Sequence, residues 1–293
     1  MLLKEVTGMT GRTVPLCMLL NWVLLTALVS FVLPLTAYAG AMAVDPKRVV
    51  FDGRKRSAEL LVINRGDRAA TYKIYFQEMR MTNTGHLDVV DDPTEAEKTS
   101  STLLRYSPRR MTLGPGKMQS VRLLLRKPRD LEPGEYRSHL TIEELPDAMA
   151  GTDVEQLADN RGGVKVRMVA RHSITIPVIA RHGMLDASLE LKALKYLPPD
   201  RKKPRSRIAL NLHRQGNRSL YGSINVYHQP RQGERRLVGY IKGVAVYTPL
   251  QKRSIIVPLQ EMGSERLRDG VLRAEFTETG RQGVKAAAEL TIH

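Results

Sequence analysis

The chain has 293 residues, of which 42% are hydrophobic and 26% charged, and this composition excludes a disordered chain because it supplies enough apolar material for a packed core. Glycine (22) and proline (16) are too few and too scattered for a collagen-like polymer. The net charge of +16 has two possible explanations: the protein has an anionic partner, or the charge only keeps it soluble.

The beginning of the chain has the pattern of a signal peptide. Lys4 and Arg12 precede an apolar run over residues 14–35, and Ala37-Tyr38-Ala39 places small residues where a processing enzyme cleaves. We therefore predict a signal peptide over residues 1–39. A retained signal anchor is the alternative, because the run is close to the length that spans a bilayer.

Export limits both the chemistry and the partners of the mature chain. The only cysteine and the only tryptophan, Cys17 and Trp22, lie in the predicted signal peptide. The mature chain therefore has no thiol for a disulfide, for cysteine catalysis or for a cysteine-bound zinc ion. Nucleic acid is not expected as a partner of an exported protein, although the basic charge alone would suggest it.

From Val44 onward the dominant pattern is an alternation of apolar and polar residues, which is typical of β-strands. Ile208, Leu210 and Leu212 form one such row, and turn-forming residues such as 114–116 (GPG) interrupt the pattern about every ten residues. We predict an all-β fold of two immunoglobulin-like β-sandwich domains in tandem, over residues 40–182 and 183–293.

Three polar segments interrupt the predicted strands, and no long amphipathic helix is expected. Residues 91–101 (DDPTEAEKTSS) and 146–163 (PDAMAGTDVEQLADNRGG) are predicted to be loops. Residues 200–207 (DRKKPRSR) are either a solvated loop or a contact with an anionic surface.

The sequence contains no motif of a known catalytic site or nucleotide site, and we expect neither an enzyme nor a cofactor. His172 and His182 lie on one predicted strand and His139 on its expected neighbour, so a cross-strand pair is conceivable. Two histidines without a third ligand do not form a metal site. The sequon 217–219 (NRS) is a short motif of the kind that arises by chance.

The most informative segment is the alternating stretch over residues 164–178, because it is much longer than an ordinary sandwich strand. It is either a long strand of the protein's own core, or two strands, or a strand whose first part is presented to a partner by strand addition. In the last case the presented apolar row is Val164, Val166, Met168 and Ala170.

Three blocks of the first domain resemble the PapD-like periplasmic chaperones of chaperone-usher pili, a family with two such domains. They are residues 48–53 (RVVFDG), 107–122 (SPRRMTLGPGKMQSVR) and 134–140 (GEYRSHL). The forms of residues 136–140 and 174–178 (ITIPV) are similar to the alternative or archaic branch. The resemblance covers about half of the mature chain.

The resemblance implies a chaperone in the periplasm that lends a strand to a pilin or fimbrial subunit and delivers it to an outer-membrane usher. Val164, Val166, Met168 and Ala170 fall on the donor row, and Arg48 matches the arginine that binds the subunit's C-terminal carboxylate. The lysine that usually assists this arginine is replaced by Pro177, and Arg171 lies about 20 Å away along the strand.

The resemblance also implies a charged brace between the domains, formed by Glu135, Arg181 and Asp269; three unrelated surface charges are the alternative. A function from another class stays open as well, namely a secreted two-domain adhesive or carbohydrate-binding module. Such modules usually stack sugars on aromatic side chains, and the mature chain has no tryptophan.

Overall fold

The computed structural model describes residues 42–146, 172–260, 267 and 269–293. It confirms the predicted fold class, since four larger sheets form two β-sandwiches in tandem. The predicted signal peptide and the predicted donor row Val164, Val166, Met168 and Ala170 lie outside the described residues.

The first sandwich contains eleven strands and one helix. They are β1 (Met42–Asp45), β2 (Val49–Phe51), β3 (Ser57–Asn64), β4 (Ala70–Gln77), β5 (Met79–Met81), β6 (Leu87–Val89), α1 (Glu95–Leu103), β7 (Leu104–Ser107), β8 (Arg110–Leu113), β9 (Met118–Leu125), β10 (Gly134–Glu144) and β11 (Ser173–His182).

Two sheets enclose the core of this sandwich, with the strand orders β1-β3-β9-β7 and β2-β11-β10-β4-β8. The alternating apolar side chains of both inner faces are buried, among them Phe51, Leu60, Tyr72 and Ile142. At about 1.5–3 kcal/mol for each large apolar side chain, this burial is the main source of the domain's stability.

The second sandwich contains seven strands: β12 (Ala187–Leu197), β13 (Arg207–Gly216), β14 (Leu220–Pro230), β15 (Arg236–Val246), β16 (Lys252–Pro258), β17 (Gly270–Glu278) and β18 (Ala286–Ile292). Its sheets have the orders β12-β13-β16 and β15-β14-β17-β18. The row Ile208, Leu210 and Leu212 is buried in its core, as its alternation predicts.

The prediction of a loop over residues 91–101 is wrong, because α1 begins there. Thr94 caps the helix: its hydroxyl accepts a hydrogen bond from the Glu97 backbone, and the Glu97 carboxylate accepts one from the Thr94 backbone at 2.8 Å. This reciprocal capping satisfies two amides of the first turn.

No helix among the described residues has the length and apolar character needed to cross a membrane.

The basic segment before β13 is a loop organised by Asp200. Its carboxylate accepts hydrogen bonds from the backbone amides of Lys202 and Lys203 and pairs with Arg207 at 2.9 Å. Arg207, the first residue of β13, is thus used to hold this loop.

A small hairpin of the first sandwich, β5–β6, reaches the second sandwich. The carbonyl of Asn83 in its turn accepts a hydrogen bond from the backbone amide of Ser254 on β16, at 2.7 Å. Gly85 has φ +86°, and a Cβ added there would lie 2.3 Å from the guanidinium of Arg253. Glycine at this position therefore permits the close approach of hairpin and strand.

The two cores separate after β11. The first core extends to Ala180 and the second begins at Ala187. Gly183 has φ +75°, and a Cβ there would meet Pro133 at 2.6 Å, so this sharp turn requires glycine. The predicted domain boundary at residue 183 stays a prediction, and it is compatible with this turn.

Candidate functional site

One edge of β11 is only partly covered. β2 runs parallel to β11 but pairs only with Val178, Ile179 and Ala180. Within the described residues, the part of β11 before Val178 has a strand partner only on its other side, β10. The uncovered edge therefore offers main-chain groups to an added strand.

The side chains of this part of β11 continue the apolar alternation. Ile176 and Val178 are buried in the first core, and Ile174 packs against it partly buried. These even-numbered positions have the same phase as the predicted donor row, which precedes them along the chain. Pro177 lies opposite His139 and lacks an amide, which suits a strand edge without a partner.

A cavity of about 420 Å³ lies between the two sandwiches, close to the end of β2. The first sandwich contributes Arg48, Asp52 and Arg181 to its lining, and the second contributes Tyr221 and Glu278. The residues of the two sandwiches come together at this cavity only because the sandwiches are docked.

Arg48 is held in this cavity by aromatic rings. Its guanidinium carbon lies 4.5 Å from the ring centroid of Tyr221 and 5.8 Å from that of Tyr247. No ion pair joins it to a carboxylate of the described residues, and its buried Nε has no hydrogen-bond partner there. Burial lowers the pKa of Arg48 below its usual value, and the Tyr247 and Glu135 side chains oppose this shift.

Glu135 and Arg181, two of the predicted brace residues, lie directly opposite each other on β10 and β11. Arg181 Nε donates to Glu135 Oε2 at 3.0 Å, and the Glu135 side chain is fully buried. Glu135 Oε1 accepts hydrogen bonds from the backbone amide of Ser219, at 3.0 Å, and from its hydroxyl. This carboxylate thus links the first sandwich to the second.

Asp269, the third predicted member, does not belong to this group. It is exposed before β17, which begins opposite Pro230 at the far end of β14 from Ser219. About ten residues of strand, or ~33 Å, separate the two ends. Arg181 has Asp52 of its own domain as its second acid, at 3.4 Å.

A buried ion pair joins Arg218 and Glu278 at the same end of the second sandwich. Arg218 belongs to the sequon 217–219, whose serine is the partner of Glu135. The segment therefore has a structural role at the junction. The resemblance indicated Asp269 as the acid of the second domain and did not point to Ser219 or Glu278, because neither of these residues carries a distinguishing local motif.

A second set of polar groups surrounds Arg137 on β10. Its guanidinium donates to the carbonyls of Met79, at 3.1 Å, and Thr248, at 2.9 Å, and lies 4.6 Å from the Tyr247 ring. Beside it, burial and the charge of Arg137 lower the pKa of His139 to about 3. Burial also raises the pKa of Glu78 to about 7, and the charge of Glu97 adds to this shift.

The suggested histidine pair is wrong. His139 lies opposite Pro177, whereas His182 lies opposite Gly134 and His172 adjoins Glu144. His139 is therefore five residues, or ~17 Å, from either candidate partner along the ladder. The described residues contain no cluster of three or more histidine, cysteine, aspartate or glutamate side chains able to hold a metal ion.

No protein-family model and no curated protein matches the chain. Among solved structures it is similar to the class 5 fimbriae chaperone CfaA, at 12% identity over 86% of this chain and 99% of that one, with a TM-score of 0.42. It is also similar to the CsuC–CsuE chaperone–tip adhesion subunit complex of archaic Csu pili from Acinetobacter baumannii, at 11% identity over 85% of this chain and 97% of that one, with a TM-score of 0.41. The Pseudomonas aeruginosa CupB2 chaperone is similar at 14% identity over 85% of this chain and 99% of that one, with a TM-score of 0.38. These likenesses assign no role to any residue of this chain.

Proposed function

We propose that the protein is a periplasmic chaperone that binds pilin or fimbrial subunits by donor-strand complementation and delivers them to an outer-membrane usher. The observation that carries this proposal is the edge of β11 before Val178, which has no strand partner on that side among the described residues and is continuous in sequence and phase with the predicted donor row. Such an edge supplies main-chain hydrogen bonds, and alternate side chains supply specificity.

The donor row is Val164, Val166, Met168 and Ala170. If fully buried in a subunit, these side chains contribute roughly 5–10 kcal/mol in total, with Ala170 at the low end. Association entropy opposes much of this gain, so a second contact is needed to fix the subunit.

Arg48 provides that second contact in the proposed mechanism. A guanidinium with unused donors is suited to a carboxylate, which it binds through two parallel hydrogen bonds. The cavity around Arg48 adjoins the end of β2, and β2 pairs with β11. A subunit held at its C-terminal carboxylate by Arg48 would thus lie next to the strand that complements it.

The donor row is tested by the double variant Val166→Asp/Met168→Asp. We expect the variant to remain folded and to lose recovery of the subunit, because two carboxylates cannot enter an apolar groove without a large desolvation cost. Co-purification from periplasm with mass spectrometry measures recovery, and circular dichroism reports folding.

The matched control is Lys165→Ser/Arg167→Ser, which changes the opposite face of the same segment and is expected to keep the subunit bound. If Val166→Asp/Met168→Asp unfolds the protein, the row is ordinary core and the proposal fails. Equal recovery of the subunit by wild type and this variant would also contradict it.

Arg48→Ala is expected to weaken subunit capture at least tenfold while changing the free energy of unfolding by no more than about 1 kcal/mol, because loss of the ring contact is offset by relief of the desolvated charge. Arg48→Lys keeps the charge but loses the planar fork, and we expect it to restore capture only in part. Pull-down of the co-purified subunit and urea unfolding provide the two readouts. Undiminished capture by Arg48→Ala would place the anchor elsewhere.

A further inference from the structure

The guanidinium of Arg48 is held from the second sandwich, although Arg48 itself belongs to the first. The contact at 4.5 Å is with the ring of Tyr221 on β14, and the more distant ring, Tyr247, follows β15. Both rings belong to the small apolar cluster at the junction, with Ile179 and Ala245.

Ring contact has a consequence that an ion pair would not have. A guanidinium has its five N–H donors in the plane of the group, and an aromatic ring contacts the face of that plane. The guanidinium carbon of Arg48 lies over the Tyr221 ring, and a contact with the ring face uses none of the N–H donors, which therefore stay available. An acid partner would use the same donors that an incoming carboxylate needs.

The position of Tyr221 is itself fixed by main-chain contacts. It lies opposite Ala245 in the β14–β15 ladder, and its carbonyl accepts a hydrogen bond from the Thr279 amide at 2.9 Å. The platform is therefore part of a sheet and not of a loop.

We infer that Tyr221 is the positioning residue of the Arg48 carboxylate site: the second domain supplies an aromatic platform that orients the arginine with its hydrogen-bond donors free. The inference rests on the proposed function of Arg48 and adds that the site is complete only when both domains are docked. The role of Tyr221 is carried by its ring and not by its hydroxyl group.

The test uses the full mature protein and N-acetylglycine, a small molecule that ends in a free carboxylate, with N-acetylglycinamide as its uncharged counterpart. NMR resonances of the Arg48 guanidinium report both binding and the ring-current shift from Tyr221. We expect saturable binding of N-acetylglycine only. Tyr221→Leu should remove the ring-current shift and weaken binding about 5- to 30-fold, whereas Tyr221→Phe should keep both.

The matched control is Tyr240→Leu, which removes an exposed ring from β15 and is expected to change neither quantity. Unchanged affinity in Tyr221→Leu would overturn the inference, and so would an equal loss in Tyr221→Phe, or an absence of carboxylate binding by the wild type. Recovery of a subunit by the wild type separates this inference from the proposed function. A wild type that binds N-acetylglycine through Arg48 and Tyr221 but recovers no subunit from periplasm would refute the chaperone function alone.

Discussion

Arg181→Ala is expected to lower the free energy of unfolding by about 3–5 kcal/mol, because it leaves the carboxylate of Glu135 buried without its cation. The Glu135 side chain is fully buried, and Arg181 is its ion-pair partner at 3.0 Å. The hydrogen bonds from Ser219 remain, but Asp52 loses the same cation. Urea unfolding of the full mature chain measures the change.

Glu135→Ala is expected to cost less, since Arg181 keeps Asp52 and remains partly open to solvent. In a double-mutant cycle the two substitutions should be coupled by about 1–3 kcal/mol. The control is Arg122→Ala, which breaks the exposed pair with Glu59 and should cost no more than about 1 kcal/mol. Additivity of the Glu135 and Arg181 effects within about 0.3 kcal/mol would contradict the brace.

The second large effect is a dependence of stability on pH that comes from His139. Its folded pKa is about 3, below the usual value of 6.5, so the folded state binds fewer protons than the unfolded state between these values. His139 therefore contributes stability above pH 6.5 that is lost as the pH falls toward 3. The free energy of unfolding falls by about 3–5 kcal/mol over this range, since each pH unit between the folded and the unfolded pKa of His139 corresponds to about 1.4 kcal/mol.

Glu78 has the opposite effect. Its folded pKa of about 7 lies above the usual 4.5, so stability falls as the pH rises from 4.5 to 7. The group is only half-buried, and solvent screening limits this contribution to about 1–2 kcal/mol. The two effects oppose each other between pH 4.5 and 6.5, and acid destabilisation from this cluster is therefore steepest below pH 4.5.

Urea unfolding at several pH values tests both contributions. We expect His139→Gln to flatten the decline between pH 6.5 and 3 relative to wild type, and Glu78→Gln to remove the fall between pH 4.5 and 7. A His139→Gln profile parallel to that of the wild type would contradict the assignment.

The sequence predicted the fold well because strand alternation follows directly from burial on one face. Leu272, Ala274 and Phe276, like the row on β13, are buried as their spacing indicates. The helix α1 was missed because residues 91–101 have no apolar period. Its capping box, Thr94 followed by Glu97, was nevertheless readable as a helix start.

The candidate site could be predicted only where two residues share a ladder. Glu135 and Arg181 meet because β10 and β11 pair in register. Ser219 and Tyr221 lie more than 80 residues beyond Glu135, and their roles depend on how the sandwiches dock. Local pattern contains no information on such a docking, and the resemblance pointed to Asp269, whereas the structure places Ser219 and Glu278 at the junction.

The contact between the β5–β6 hairpin and Ser254 bears on self-association. β16 is the outermost strand of its described three-stranded sheet, and an open strand edge is a template for pairing with another molecule. The Asn83 carbonyl occupies one main-chain donor on that edge, and the hairpin sits against the neighbouring Arg253. Within the described residues, β11 thus has one stretch of edge without a strand partner, whereas the hairpin shields part of the β16 edge, which limits the routes by which two copies could polymerise.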